Sequence, residues 1–416
     1  MKVSKWNLSP LQIIYGLAII NSLALIFFVG WKTCPDSITY VQAWDVISSG
    51  EIDKWRTPIY PIFLGVIQSI VGKEYLHIAT ICIQQLIFLL SIQYFYQAIR
   101  QLCQNLTVVF WITLFYALHP GVSSWNNFIL TESLAVIFSV FLIYSALKVW
   151  KEASLKACFY FTLWLLLLIF LRPAFVYMLP VSLVAWIMAG FKRKEIRSVS
   201  FICIAGVITV SCCQLLYMKA FETKYGVFTP SGISTVNQYC LAKQGNILNP
   251  DLIKHPKLKT YIERTINKET DEVFDHFELR DIQDAVSVSN KNNPIGYIKK
   301  AGGRLFRAAH GSYPPSYCEG TYLWLSHLFA VPFYVMYQFL FIYFLVLLYW
   351  MYRHKTVPWF SSFLFMLGCS NLIVAIVGAQ AEWSRLVLPS LPVYLLMFGQ
   401  LCNLIRISKA PNGQLE

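Results

Sequence analysis

The sequence predicts an all-α polytopic membrane protein, with about ten transmembrane helices, juxtamembrane helices in the first outer loop and a small, mostly helical extracytoplasmic cap. Three observations carry this. Of 416 residues, 57% are hydrophobic and 13% charged, whereas about a quarter of a soluble domain is charged. Mean hydropathy is +0.54, and apolar runs near the ~20 residues that cross a bilayer core recur along the chain. Thirty Phe, 24 Tyr and 13 Trp suit the lipid interior and its interfaces. The same composition excludes a disordered or collagen-like chain. The eleven cysteines lie mostly inside apolar runs, without CxxC pairs, and read as small packing residues.

Apolar segments fall at 11–31, 76–98, 105–120, 129–149, 157–171, 174–190, 199–218, 321–351, 358–378 and 387–405. A further apolar stretch, 58–72, is read as a re-entrant or interfacial helix, because a crossing there would invert the positive-inside bias midway along the chain. With that choice the segments predicted to be cytoplasmic hold fourteen Lys and Arg against Glu152, Glu195 and Glu416. Most of the net charge of +13 is thus a topology signal, and it implies no nucleic-acid partner. Both termini are expected in the cytoplasm, and Met1–Trp6 is followed too weakly by a small-residue cleavage site to read as a removable leader.

Three regions follow: 1–218, a transmembrane module with the outer loop 32–75; 219–320, an extracytoplasmic cap; and 321–416, the C-terminal spans. The cap holds 14 Lys/Arg and 11 Asp/Glu, enough polar surface for a small folded unit. Within it Pro256–Ala285 has a helical period, and Pro294–His310 reads as a basic amphipathic helix with Lys300, Arg304 and Arg307 on one face. That face suits either solvent or a lipid phosphate. Cys240 and Cys318 both lie in the cap, and spacing alone leaves their pairing open.

A charge at a helix centre costs about 2.5–3.5 kcal/mol on insertion scales, so charges close to the membrane point to a cavity or a partner. Five places carry them at the outer rim: Asp36, Arg56, Glu132, Arg172 and the Glu382/Arg385 pair. Each has an ordinary structural explanation. Asp36 suits the N-cap of a juxtamembrane helix over Ser37–Ser48. Glu132 suits a helix's first turn, and Arg172 can snorkel. Glu382 and Arg385, at i and i+3, can pair with each other. His119 reads as a packing residue, and no metal-ligand spacing is present, although a divalent metal remains open as a cofactor.

The order of these motifs resembles a family. Pro35-Asp36-Ser37-Ile38-Thr39-Tyr40 after the first span, then Arg56-Thr57-Pro58-Ile59-Tyr60-Pro61, Thr131-Glu132, Arg172-Pro173 and Glu382-Trp383-Ser384-Arg385-Leu386-Val387-Leu388-Pro389 resemble the polytopic GT-C glycosyltransferases. The similarity is greatest to the branch of protein O-mannosyltransferases and the lipid A aminoarabinose transferase. It covers 1–190 and 360–405 and is poor across 219–320. Many relatives have Asp-Glu where Asp36-Ser37 stands here, and a late Glu-Arg where Trp383 and Ser384 intervene.

The resemblance implies a polyprenyl-phosphate sugar donor, a hydroxyl acceptor and inverting displacement. Outside the cytoplasm no nucleotide sugar is at hand, so an activated sugar has to arrive on a lipid. Arg56, Arg172, Arg385, Lys300 and Arg304 are then candidates for the donor phosphate by charge-assisted hydrogen bonds. Phosphate leaves with electrostatic help rather than with a general acid, so one essential carboxylate suffices: Asp36, as general base. Tyr40, Tyr60, Glu132 and Glu382 are candidates for sugar or acceptor contacts, the two glutamates alternatively orienting the arginines. A flippase for a polyprenyl-linked glycan is the main reading of another class, but no inverted repeat or mid-membrane acid supports it. An O-antigen ligase-like enzyme or an acyltransferase is a third.

Overall fold

The computed structural model describes residues 9–28, 30–266, 272–300, 321–355, 357–378 and 387–408. Its secondary structure is helical: α1 Pro10–Phe28, α2 Pro35–Ser48, α3 Ile59–Leu102, α4 Leu106–Leu118, the short α5 Pro120–Ser123, α6 Thr131–Glu152, α7 Leu155–Leu171, α8 Met178–Lys192 and α9 Arg197–Tyr225. The outer segment adds α10 Gly232–Gln244, α11 Pro256–Thr265, α12 Val273–His276 and α13 Leu279–Asn292. After it come α14 Thr321–His354, α15 Trp359–Gly378 and α16 Leu391–Ser408.

Among the described residues five helical stretches, α1, α3, α6, the stretch Pro173–Lys192 that contains α8 and the stretch that contains α9, are long and apolar enough to cross a bilayer. Their outward faces carry Phe27, Phe28, Phe191, Phe201 and Leu216, all exposed. Water would not tolerate so much continuous apolar surface, so the molecule is an all-α membrane protein. α6 is the central helix: 78% of its apolar stretch is buried, against 22% in peripheral α1. It packs against α3 and α7, and one core runs from Ile14 to Met397 through all of them.

Local chemistry sets the helix ends. Asn105 caps α4 by accepting from Thr107 N at 3.0 Å and Val108 N at 3.3 Å, and Ser154 caps α7 through Ala157 N. α9 stops at Gly226, whose φ of +75° is the left-handed C-cap that glycine adopts without strain. In α3 the non-helical Gly72 (φ 80°, ψ 169°) divides the helix between the two segments expected at 58–72 and 76–98. Pro58 and Pro61 stand at its N-cap and in its first turn, where a missing N–H costs nothing.

The helix after α1 differs from expectation in its start. Pro35 is its first residue and Cys34 its cap, with Cys34 N donating to Ser37 Oγ at 3.0 Å. Asp36 is therefore in the first turn, and its side chain is released from capping. α2 lies on α3, where Trp44 covers Gly65 so closely that a Cβ there would overlap the indole.

The outer segment has its own small core of Tyr239, Leu258, Ile262, Ile282 and Val286. A bridging cluster of Phe221, Val227 and Leu279 with Ile52 and Trp55 fastens it to the loop between α2 and α3. The basic helix expected from Pro294 starts at 294 and is described to 300; Arg304, Arg307 and Cys318 lie outside the described residues, as do Glu382 and Arg385.

Because α2 carries Asp36, its seat on α3 is testable. Gly65→Ala pushes Trp44 off α3 and costs about 1–3 kcal/mol, the usual range for overpacking. Thermal unfolding in detergent should show a lower midpoint than the wild type, and an unchanged midpoint would contradict this packing.

Candidate functional site

Two acids and two arginines meet at one end of α3, α6 and α7, and three of them, Asp36, Glu132 and Arg172, occupy a helix terminus that suits their charge. Asp36 is in the first turn of α2 and Glu132 in the first turn of α6, where the helix dipole favours an anion. Arg172 is the C-cap of α7, where the dipole favours a cation. Arg56 precedes the Pro58 that caps α3.

Arg56 Nη2 donates to Asp36 Oδ1 at 2.7 Å, and Arg56 Nε donates to Thr39 Oγ1 at 2.8 Å. Thr39 in turn donates to the Asp36 carbonyl at 2.8 Å. The guanidinium lies over the Tyr40 ring, 4.2 Å from its centroid, a cation–π arrangement. Burial works against the Arg56 charge, but Tyr40 and Asp36 more than restore it, and its pKa rises above the ordinary value.

The second pair is drier. Arg172 Nη1 stands 3.1 Å from Glu132 Oε1, with the Glu132 side chain 0% and the Arg172 side chain 12% exposed. The Asp36 side chain is 40% exposed. Exposure thus separates the two carboxylates: one can be reached by a second molecule, and the other is sealed against its arginine.

The pairs are tied together. Thr57, beside Arg56, donates to the carbonyl of Leu171, beside Arg172, at 3.0 Å. Tyr60 packs edge-on to Tyr40, centroids 5.0 Å apart, and donates to Gln84 Oε1 at 2.9 Å. Gln84 then donates to the carbonyls of Asn126 and Phe128, both at 2.9 Å, on the approach to α6. Asn127 closes the circuit, receiving Lys32 N at 3.0 Å and donating to the Gly30 carbonyl at 3.2 Å.

Sequence reasoning missed several of these residues. Asp53 Oδ1 accepts from Trp55 N at 2.8 Å and Arg56 N at 2.6 Å, an Asx turn that aims Arg56; the short spacing from Asp53 to Arg56 was the available signal. Thr57 and Gln84 carried none, since their partners are remote in sequence, and the contact of Thr39 with Arg56 spans 17 residues.

The outer segment presses on that same turn. Gly232, opening α10, donates to the Lys54 carbonyl at 2.8 Å, and a Cβ on it would meet that oxygen at 2.7 Å and the Trp55 ring at 2.8 Å. Lys224 pairs with Glu51 at 2.7 Å.

Of the candidates named from sequence, Asp36, Tyr40, Arg56, Tyr60, Glu132 and Arg172 gather here. Tyr40 and Tyr60 are buried, their rings packed within the cluster. Lys300 instead donates to the Gln244 carbonyl at the end of α10, at 2.7 Å. Arg304, Glu382 and Arg385 are outside the described residues, but Leu388–Ser390, just beyond the last two, packs on α6. His119 is buried beside Phe115. Among the described residues no three His, Cys, Asp or Glu side chains gather as a metal set. Asp36 and Glu132 each face a guanidinium, which does not fit a divalent-cation cage.

The contrast in burial predicts a contrast in stability. Glu132→Gln leaves Arg172 uncompensated in a dry site and should cost about 3–5 kcal/mol. Asp36→Asn loosens a pair whose acid is half in solvent and should cost about 1 kcal/mol or less. Chemical denaturation of both variants in detergent measures the difference; equal losses would contradict the burial described here.

Comparison with protein-family models and with curated proteins finds no match. Solved structures do match. One is the archaeal oligosaccharyltransferase AglB from Archaeoglobus fulgidus in complex with an inhibitory peptide and a dolichol-phosphate. It is 12% identical, with a TM-score of 0.52, covering 98% of this chain and 52% of that one. A second structure of the A. fulgidus oligosaccharyltransferase, tethered to an acceptor peptide containing the NVT sequon, is 12% identical with a TM-score of 0.48, covering 96% and 50%. The chain spans about half the length of these structures. At such identity the likeness is one of architecture alone: this chain shares a helical membrane fold with that oligosaccharyltransferase.

Proposed function

We propose that the chain is a glycosyltransferase of the cell envelope, moving a sugar from a polyprenyl-phosphate donor to a hydroxyl acceptor by inverting displacement. The observation that carries this reading is one reachable carboxylate, Asp36, paired with Arg56, at the same end of the helices as a second guanidinium, Arg172, held by Glu132, on a fold like that of the oligosaccharyltransferase. The oligosaccharyltransferase of that fold was solved with a dolichol-phosphate, a lipid phosphate of the class proposed here.

Asp36 is the general base. It takes the proton of the acceptor hydroxyl while the acceptor oxygen bonds to the anomeric carbon and the opposite carbon–oxygen bond breaks. The electron pair departs with the lipid phosphate, so stabilising that anion is the main electrostatic task. A guanidinium has five N–H donors. Arg56 uses two of its own on Asp36 and Thr39, which leaves others for the phosphate. Arg172, held by Glu132, presents a second cation without having to be ordered at the moment of reaction. Glu132, being fully buried, serves as the arginine's orienting partner rather than as a sugar contact. Lys300, Arg304, Glu382 and Arg385 extend the donor and acceptor contacts in this reading, and the cap 219–320 meets the acceptor. The site faces the periplasm of a bacterial inner membrane.

The test is transfer by purified chain in nanodiscs, supplied with a polyprenyl-phosphate sugar and candidate acceptors. Polyprenyl phosphate should be released only when acceptor is present. Asp36→Asn should lower the rate by about 10²–10⁴, the usual contribution of a positioned base. Near-normal transfer by that variant would remove Asp36 from the mechanism. Cells carrying it should accumulate the sugar-phosphate lipid, whose mass names the sugar.

A further inference from the structure

At the opposite ends of α3, α6 and α7 from the paired charges, a cleft of about 460 Å³ opens between the three helices, within the size range of small-molecule sites. Its lining is graded along the helix axes. At the mouth stand Lys148 and Glu152 of α6 with Lys156 of α7; one level in come tyrosines 94, 144 and 160; furthest from the mouth are Phe141 and Trp164, with the exposed Leu90 at the edge. At 1.5 Å per residue, the eleven steps from Phe141 to Glu152 span ~16 Å and the eight from Lys156 to Trp164 ~12 Å. One leaflet of a ~30 Å hydrocarbon core is ~15 Å deep. The gradient of charge, then amphipathic rings, then apolar wall therefore repeats that of a single leaflet from headgroup to tail.

The deep wall is built by the helices themselves. Phe141 and Trp164 stand 4.7 Å apart between centroids, and Tyr94 meets both Phe141, at 5.0 Å, and Tyr144, at 5.1 Å, edge-on. At the mouth Lys148 is already matched to Glu152 at 2.5 Å. Lys156 lies over the Tyr160 ring at 5.9 Å, and among the described residues no carboxylate pairs with it. The mouth thus carries two lysines against one glutamate, an excess of one positive charge, which complements one phosphodiester.

We infer that this cleft binds an anionic phospholipid of the leaflet opposite the rim site. One acyl chain lies against Phe141 and Trp164, the tyrosine hydroxyls meet the glycerol region, and Lys156 receives the phosphodiester. The inference is independent of the reaction assigned to the rim, because none of these side chains belongs to that cluster.

Native mass spectrometry of the full chain, titrated with phosphatidylglycerol, with phosphatidylcholine of the same chains and with inorganic phosphate, tests it. The expected result is one retained phosphatidylglycerol per chain. Its binding should weaken about tenfold in Lys156→Gln, as for loss of a hydrogen bond to a charged group, and recover in Lys156→Arg. Lys194→Gln, which changes an exposed lysine outside the cleft, should bind as the wild type does. Equal retention of phosphatidylcholine, equal occupancy by inorganic phosphate alone, or unaltered binding by Lys156→Gln would each overturn the proposal.

Discussion

The cost of placing a carboxylate in a membrane protein's interior organises one end of this molecule. Glu132 has no exposed surface, and an isolated charge there would carry a desolvation penalty of several kcal/mol. It is tolerated because three features converge on it: the positive end of α6, the guanidinium of Arg172, and a backbone that fixes Arg172 in turn. Thr57 pins the carbonyl of Leu171, so the loop before α3 and the end of α7 cannot move apart without exposing the pair. Arg56 belongs to that same loop. The half-exposed Asp36–Arg56 pair is thereby held in register with the buried one, and the two pairs behave as one unit rather than as separate surface bridges.

The same logic explains the polar chain below them. Tyr60, Gln84 and the carbonyls of Asn126 and Phe128 are buried groups that satisfy one another, as a dry interior demands. Their effect is geometric: they lock the start of α3, which follows Arg56 and Thr57, to the irregular segment before α6, whose first turn carries Glu132. The outer segment adds a further clamp. Gly232 and Trp55 meet backbone to ring, so α10 bears directly on the Asx turn that aims Arg56. The contact is too close for any residue but glycine.

Much of this was legible in the sequence because the membrane makes charge conspicuous. Asp36, Arg56, Glu132 and Arg172 stood out as ions beside apolar runs, and all four meet. The break between 58–72 and 76–98 was readable too, and Gly72 supplies it. What stayed hidden was pairing. The order of the motifs does not say that Asp36 faces Arg56 and Glu132 faces Arg172, since that depends on which helix ends lie together. The cap of α2 was misplaced by two residues, because Asp is the better intrinsic cap and Cys34 takes the position only through Ser37. Asp53 looked like one more loop acid; its role exists only because two backbone N–H groups turn toward it.

α3, α6 and α7 each carry the charge cluster at one end and the graded cleft at the other, and this two-ended arrangement has a mechanical consequence. Helices packed this tightly transmit displacement along their axes rather than absorbing it. α6 is buried along most of its length, so a lipid seated between its far end and α7 would press on a helix with little free surface to yield. At the other end, Glu132 and Arg172 sit on α6 and α7 respectively, 3.1 Å apart. The buried pair is thus both the feature that holds the rim together and the point at which the occupancy of the opposite leaflet would be felt.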